Sequence, residues 1–223
     1  MGEDGRILPG DVLGPVTAQL LGAEVVCTPV SSNSLVEEMG MRVLRTRIGS
    51  PFVIAAMQAE GGRVAGYEAN GGFLLGFTAE GPGGPIPPLM TRDAALPMVA
   101  VLVAAKAAGG LVPLRARLPA RFTAADRLQE VDMDRAGAFL ARIDRDADAR
   151  ATFLADLGLP PEEGADRTDG LRLRLRGGRS AASAPLGQCA RIPRLCRSRR
   201  GGPGRGAARP GAGRRGRGDR TAR

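Results

Sequence analysis

Short apolar runs alternate with stretches apolar on one face only, the pattern of strands separated by helices. Residues 1–10 read as the end of a hairpin, with EDG as the turn and RIL returning as a strand. Asp11 then serves as N-cap to a helix over 11–22, with Val12, Val16 and Leu20 on one face and Gly22 as its stop. Residues 23–28 (AEVVCT) predict a buried strand. In SSNSLVEEMG, Ser34 and Glu37 stand at capping-box spacing, and Gly40 suits a left-handed stop. Residues 42–46 are strand-like, and Ser50 opens a helix with Pro51 at its first position. Residues 63–67 and 73–76 predict two more strands across a glycine-rich turn, and 91–108 a longer helix kinked at Pro97.

Strands alternating with helices of about ten residues predict an α/β layer fold with parallel pairing. Beyond Leu111 the pattern changes to an edge segment and a charged amphipathic helix, so a second domain begins there. Residues 170–176 (GLRLRLR) alternate apolar and basic, as in a half-exposed strand.

Composition narrows the chemistry. The 223 residues allow one or two domains, and 43% hydrophobic content suits a globular core, filled mainly by aliphatic side chains because aromatics are 3%. The longest apolar run, 94–105, is too short to span a bilayer, and the opening MGEDGRILPGD is not a secretory signal. Cys27, Cys189 and Cys196 form no CxxC pair, which argues against a disulfide framework or zinc site and fits a reducing cytoplasm. With no His, the chain contains no Ser-His-Asp triad, Cys-His dyad or His-ligated metal. Carboxylates, hydroxyls, backbone amides and Arg remain.

The formal charge of +9 suggests a nucleic-acid partner until its distribution is considered. Residues 177–223 hold thirteen Arg, no Lys and one acid, a charge of +12, which leaves −3 for residues 1–176. This Gly/Pro/Ala/Arg segment has little to bury and is expected to be disordered. It offers phosphate-binding Arg but no aromatic residue on which a base could stack, and GC-rich DNA read out of frame has the same composition. Nucleic-acid binding is the disfavoured reading, and no membrane partner is expected.

The segment GYEANGG carries the most specific chemistry. An ionised carboxylate such as Glu68 can accept from two vicinal sugar hydroxyls at once. Asn70 adds a donor and an acceptor, and Gly71 and Gly72 let backbone approach a ligand. Taken alone, the same residues also describe a tight turn with an exposed Glu.

The order of segments separates these readings. PVSSNSLVEEMGMRVLRTRIGSPFVIAAM is similar to a stretch of the phosphohexomutases, the phosphomannomutase/phosphoglucomutase family, leading to a T-[KR]-x-G loop, here Thr46 to Gly49. GYEANGGFLLG resembles that family's G-E-x-S-G-[HG] sugar loop, and TRDAALPMVAVLVAA the helix after it. LPARFTAADRLQEV and DRTDGLRL resemble the opening of its fourth domain, so the likeness covers about residues 1–175 in order.

The resemblance implies a remnant of domain 2 at 1–10 and domain 3, a mixed sheet with flanking helices, at 11–112. It also implies the incomplete start of an α+β domain 4 at 113–176, ahead of the disordered 177–223. It makes Glu68 the reader of sugar hydroxyls, puts Asn70 in place of a Ser, and has Arg47 replace a Lys holding the phosphosugar beside Gly49. Gly71 and Gly72 complete the loop; where some relatives have His, Gly72 has no side chain to offer. Arg47 can equally be a solvated charge at a strand end.

The family shifts a phosphoryl group between C1 and C6 of a hexose through an enzyme phosphoserine, with Mg²⁺ on a D-G-D-x-D-R loop and a hexose 1,6-bisphosphate activator. Neither the serine loop, the metal loop nor the R-P-S-G-N-A-P-E phosphate loop occurs in this sequence. Yet LGQCARI (186–192) can be encoded CTC GGG CAA TGC GCC CGA ATT, and dropping one base yields S-G-N-A-P-E. The expected picture is a mutase fragment that keeps the sugar loop, is inactive alone and is frameshifted between about residues 173 and 180; the alternative is a non-catalytic module that binds a sugar phosphate. The fragment's expected partner is the N-terminal half of the same enzyme.

Overall fold

In a computed structural model, residues 1–121, 126–128, 132–183 and 192–194 are described. The first elements are helix α1 (Gly10–Leu20), strand β1 (Val25–Pro29), a 3₁₀ turn (Leu35–Glu38), β2 (Arg42–Thr46), α2 (Ser50–Glu60), β3 (Val64–Tyr67) and β4 (Phe73–Leu75). A small hairpin, β5 (Ala79–Gly81) and β6 (Gly84–Ile86), leads to β7 (Leu89–Asp93), then α3 (Ala95–Ala108) and α4 (Leu111–Ala116). Five strands form one mixed sheet in the order β2-β1-β3-β4-β7. β2, β1 and β3 run parallel, while β4 and β7 are antiparallel to their neighbours. The expected α/β class with a mixed sheet and flanking helices is the observed one.

Strand alternation divides the apolar side chains between two helix layers. Val26, Ala65, Tyr67, Phe73 and Leu75 cluster with Ala18 and Leu21 of α1. Val25, Cys27, Val64 and Leu74 cluster with Val53 and Met57 of α2. Two glycines set the layer spacing. A Cβ at Gly14 of α1 would lie 2.3 Å from Tyr67 Cγ, and one at Gly66 of β3 would lie 2.5 Å from Met57 Sδ.

Several local expectations are corrected. Pro9, not Asp11, is the N-cap of α1. Gly10 packs so tightly on the 69–71 backbone that a Cβ there would be 2.3 Å from Gly71 N. This contact draws the helix start forward and turns Asp11, 2% exposed, inward. The Ser34/Glu37 capping box does not form: Asn33 Oδ1 accepts from Leu35 N at 2.9 Å, and Glu37 pairs with Arg45 at 2.6 Å. A single 3₁₀ turn leaves no N3 position for the reciprocal bond. The EDG turn is present, with Gly2 N donating to Arg6 O at 2.8 Å, but RIL joins no sheet. Helix α3 begins at Ala95 rather than Thr91, because β7 occupies 89–93 and Asp93 Oδ1 accepts from Ala95 N at 2.7 Å. Pro97 thus falls in the first turn, where no N–H is needed and no kink follows.

Beyond α4 come β8 (Asp126–Leu128), α5 (Met133–Arg145), α6 (Ala147–Asp156), β9 (Glu162–Asp166), β10 (Leu171–Leu175), β11 (Arg179–Ser183) and β12 (Ile192–Arg194). Asp132 caps α5 and Asp146 caps α6, each accepting from two backbone N–H groups. Ile143, Leu154, Leu159, Leu171, Leu173 and Leu175 make a separate core. The segment expected to be disordered from 177 instead starts with β11, paired antiparallel to β10. Arg176, Gly177 and Gly178 make the three-residue turn that reverses the chain, the two glycines at φ 80° and 70°. The rest of that expectation, β12 aside, falls outside the described residues. Among the described residues no helix is long and apolar enough to cross a membrane.

One buried polar cluster lies between α1 and the sheet. The Asn33 N–H and the Ser32 hydroxyl favour the charged form of Asp11, while its Oδ1 and the Tyr67 hydroxyl have no partner at hydrogen-bond geometry among the described residues. Thr28 Oγ1 lies 2.8 Å from Ser32 Oγ and 2.9 Å from the Tyr67 carbonyl oxygen. Burial raises the Asp11 carboxyl above its usual range, against the lowering from Asn33, Ser32, Arg45 and Arg172. Burial also raises the Tyr67 phenol, reinforced by Asp11.

Two outcomes follow from this packing. Gly14→Ala, a gain of about 1 kcal/mol in helix propensity alone, destabilises by about 1–3 kcal/mol through collision with Tyr67, read by urea denaturation. For Asp11, the folded carboxyl holds its proton more tightly than the unfolded one, so its contribution is most favourable at low pH. It declines as pH rises from the ordinary Asp value, about 3.9, through the raised folded value. The stability of wild type relative to Asp11→Asn therefore falls as pH rises above about 4 in denaturation curves. A constant or rising difference contradicts this.

Candidate functional site

The loop 68–72 joins β3 to β4 as a short hairpin connection. Gly71 N donates to Glu68 O and Glu68 N to Gly72 O, both at 2.9 Å, and Gly71 has φ 98°. This is a tight turn closed by a left-handed glycine, which twists the ladder and aims the first side chain off the strand end. That side chain is Glu68, only 7% exposed.

Two well-formed hydrogen bonds hold its carboxylate. Ser50 Oγ, in the first turn of α2, donates to Oε1 at 2.9 Å, and Asn70 Nδ2 donates to Oε2 at 2.8 Å. Asn70 Oδ1 accepts from Gly72 N at 3.0 Å, and this pair of contacts fixes the amide orientation. Arg92 Nε lies 3.8 Å from Oε2, an ion pair without a hydrogen bond. A carboxylate has about four acceptor positions, so each oxygen keeps one lone-pair direction for a ligand donor. The α2 N-terminus adds favourable partial positive charge.

The structure therefore brings Glu68, Asn70, Gly71 and Gly72 into one constellation and ties it to the 46–49 loop through Ser50. Gly49 is the N-cap of α2 at φ 126°, a conformation that favours glycine. Arg47 lies on the same loop, yet its guanidinium sits over the Phe52 ring, 4.6 Å from the centroid, and makes no ion pair with Glu68. Ile48 N donates to Asp169 Oδ2 at 2.8 Å, so the turn between β9 and β10 reaches this loop.

Ser50, Arg92 and Asp169 were not singled out from the sequence as site residues. Ser50 carried a signal, a hydroxyl directly after the T-R-I-G loop, but read as a helix opener. Arg92 sat within a matched motif without a role, and Asp169 is 121 residues from its partner.

The cluster is a hydrogen-bond acceptor flanked by donors and cations, which suits recognition of hydroxyls. Cys27 supplies no nucleophile: it is buried in the α2 layer and its thiol is pushed up to about 11, chiefly by burial and further by Glu60. Among the described residues no three His, Cys, Asp or Glu side chains converge as a metal-binding group.

Comparison with known proteins agrees with this architecture. The family model for phosphoglucomutase/phosphomannomutase, alpha/beta/alpha domain III, matches residues 10–122. A phosphomannomutase of Sinorhizobium fredii is 40% identical over 194 residues, covering 83% of this chain and 40% of the relative. One from Salmonella muenchen is 36% identical over 180 residues, covering 78% and 37%. The chain thus spans about two-fifths of the length of these relatives. Among solved structures, a phosphoglucomutase/phosphomannomutase family protein from Burkholderia thailandensis superposes with TM-score 0.61 at 14% identity, over 89% of this chain and 39% of that one. The open form of a Paramecium phosphoglucomutase, parafusin, gives 0.60 at 11% identity, over 86% and 37%. Those two likenesses speak for the fold, while the family match covers the sheet, its helices and the 68–72 loop. The chain belongs to the phosphoglucomutase/phosphomannomutase family.

Proposed function

We propose that this chain is the sugar-recognition part of a phosphomannomutase-type phosphohexomutase, binding a hexose phosphate without turning it over alone. The observation that carries the proposal is Glu68, a nearly buried carboxylate pinned by Ser50 and Asn70 through one hydrogen bond to each oxygen, which leaves each oxygen further acceptor capacity. Rigid placement removes the entropy of ordering the carboxylate at binding, and low local dielectric strengthens each hydroxyl contact. Asn70 and the Gly71–Gly72 backbone line the sugar, and Arg47 and Gly49 approach its phosphate from the neighbouring loop.

The 1,6-phosphoryl shift belongs to the longer relatives' whole chain. In this proposal the phosphoserine, the Mg²⁺ ligands, the bisphosphate activator and the phosphate-gripping loop lie outside residues 1–183, in a cytoplasmic enzyme. The S-G-N-A-P-E run recovered by a one-base shift supports a frameshift ahead of residue 186. The nucleotide sequence tests it directly: a one-base repair must restore an open frame through R-P-S-G-N-A-P-E.

Calorimetric titration of the full chain with mannose 6-phosphate tests recognition. Saturable binding is expected, weakened about tenfold or more by Glu68→Gln, since hydrogen bonds to a charged group contribute about 1.5–3 kcal/mol. A flat titration of the wild type refutes the proposal. With Mg²⁺ and mannose 1,6-bisphosphate present, conversion of mannose 1-phosphate is expected to stay at background; sustained turnover contradicts the assignment of catalysis to other segments.

A further inference from the structure

The two glycines that end the sugar loop are glycines for different reasons. Gly71 has φ 98°, so its backbone alone favours a residue without Cβ. Gly72 is not among the positive-φ glycines, and its backbone accepts any residue. What its missing side chain makes room for is Arg92. A Cβ at position 72 would lie 2.9 Å from Arg92 Nε, 3.3 Å from Asn70 Oδ1 and 3.5 Å from Arg92 Cγ, so Arg92 is the neighbour that has to shift first.

Arg92 reaches this place through sheet register. It lies on β7, whose next residue, Asp93, pairs with Phe73, the residue after the loop. Asp93 itself caps α3 through Ala95 N and Leu96 N. Among the described residues the ion pair of Arg92 is with Glu68, and at 3.8 Å that pair is not closed. The Arg92 side chain is 53% exposed against 10% for Glu68, so the guanidinium keeps donors free at the mouth of the site.

We infer that Arg92 is a specificity-determining residue of the sugar site, contributing a cation that favours a phosphorylated hexose over a neutral one, and that residue 72 is glycine to seat it. The inference rests on the sugar-phosphate reading above. Glu68 takes hydroxyls, which both kinds of sugar offer; Arg92 takes the anionic group, which only one offers. A Cβ at position 72 displaces the guanidinium while leaving the loop backbone allowed, so Gly72 and Arg92 act as one unit.

The test is a double-mutant cycle on the full chain with Gly72→Ala, Arg92→Ala and both together, plus Arg92→Lys. Mannose 6-phosphate binding is read by calorimetry and mannose binding by ligand-observed NMR competition, with melting curves confirming that each variant folds. Either alanine substitution is expected to weaken mannose 6-phosphate binding about fivefold more than it weakens mannose binding. The double variant is expected to be no worse than either single one, and Arg92→Lys to recover part of the loss. Equal losses for both sugars mean that Arg92 merely props Glu68 and overturn the inference, as do additive losses or wild-type affinity in Arg92→Ala. A wild type that binds neither sugar overturns the sugar reading itself, and this inference with it.

Discussion

The close approach of both helix layers to strand β3 is the constraint on which the rest of this structure depends. Three consecutive residues express it. Gly66 admits Met57 and Val53 of α2 on one face, and the Tyr67 ring fills the space left by Gly14 of α1 on the other. Glu68 then leaves the strand end on the side of α2, whose first residue, Ser50, meets its carboxylate. If either helix moved outward by the width of a methyl group, the carboxylate would lose its donor or the loop its support from Gly10. Close packing of the domain and geometry of the site are therefore one property, as expected where interiors tolerate few voids.

Two acidic side chains near this strand, both almost fully buried, meet different fates. Asp11 is sealed between α1 and the sheet, with one oxygen unpartnered and a raised pKa. Its role is to join α1 to the 32–33 turn, and burial of a charge makes that join conditional on pH. Glu68 sits at the mouth, where Ser50, Asn70 and Arg92 offset its desolvation and solvent remains within reach of a ligand. Similar burial thus yields a structural carboxylate in one place and, in the proposed reading, a recognition carboxylate in the other, decided by the donors each neighbourhood supplies.

The second core, around Leu154, Leu171 and Leu173, is built by its own elements yet touches the first at defined points. Asp169 accepts from Ile48 N, and Arg172 lies 3.8 Å from Glu37. The first contact falls on the loop that carries Arg47 and Gly49. A segment remote in sequence therefore helps hold the loop at the rim of the proposed sugar site.

By itself the sequence determined the α/β class, the bounds of β2, the start of α2 and the turn that forms the proposed recognition loop. These were legible because each is local: Arg42–Thr46 is bounded by turn signals, Ser50–Pro51 marks a helix start, and Glu68 to Gly72 hold their chemistry within five residues. The three short strands between 79 and 93 had no clear signal, because they carry Pro and Gly and no clean alternation; β5 and β6 pair with each other and β7 takes its place from the sheet edge it joins. The N-cap of α1, the failed capping box and the hairpin at 171–183 likewise followed from contacts or pairing with other segments. Only the tertiary structure decided that Ser50 and Arg92 meet Glu68 and that Gly72 is empty for a neighbour's sake. Helix packing and strand register bring those atoms together, and neither leaves a trace in the spacing of residues along the chain.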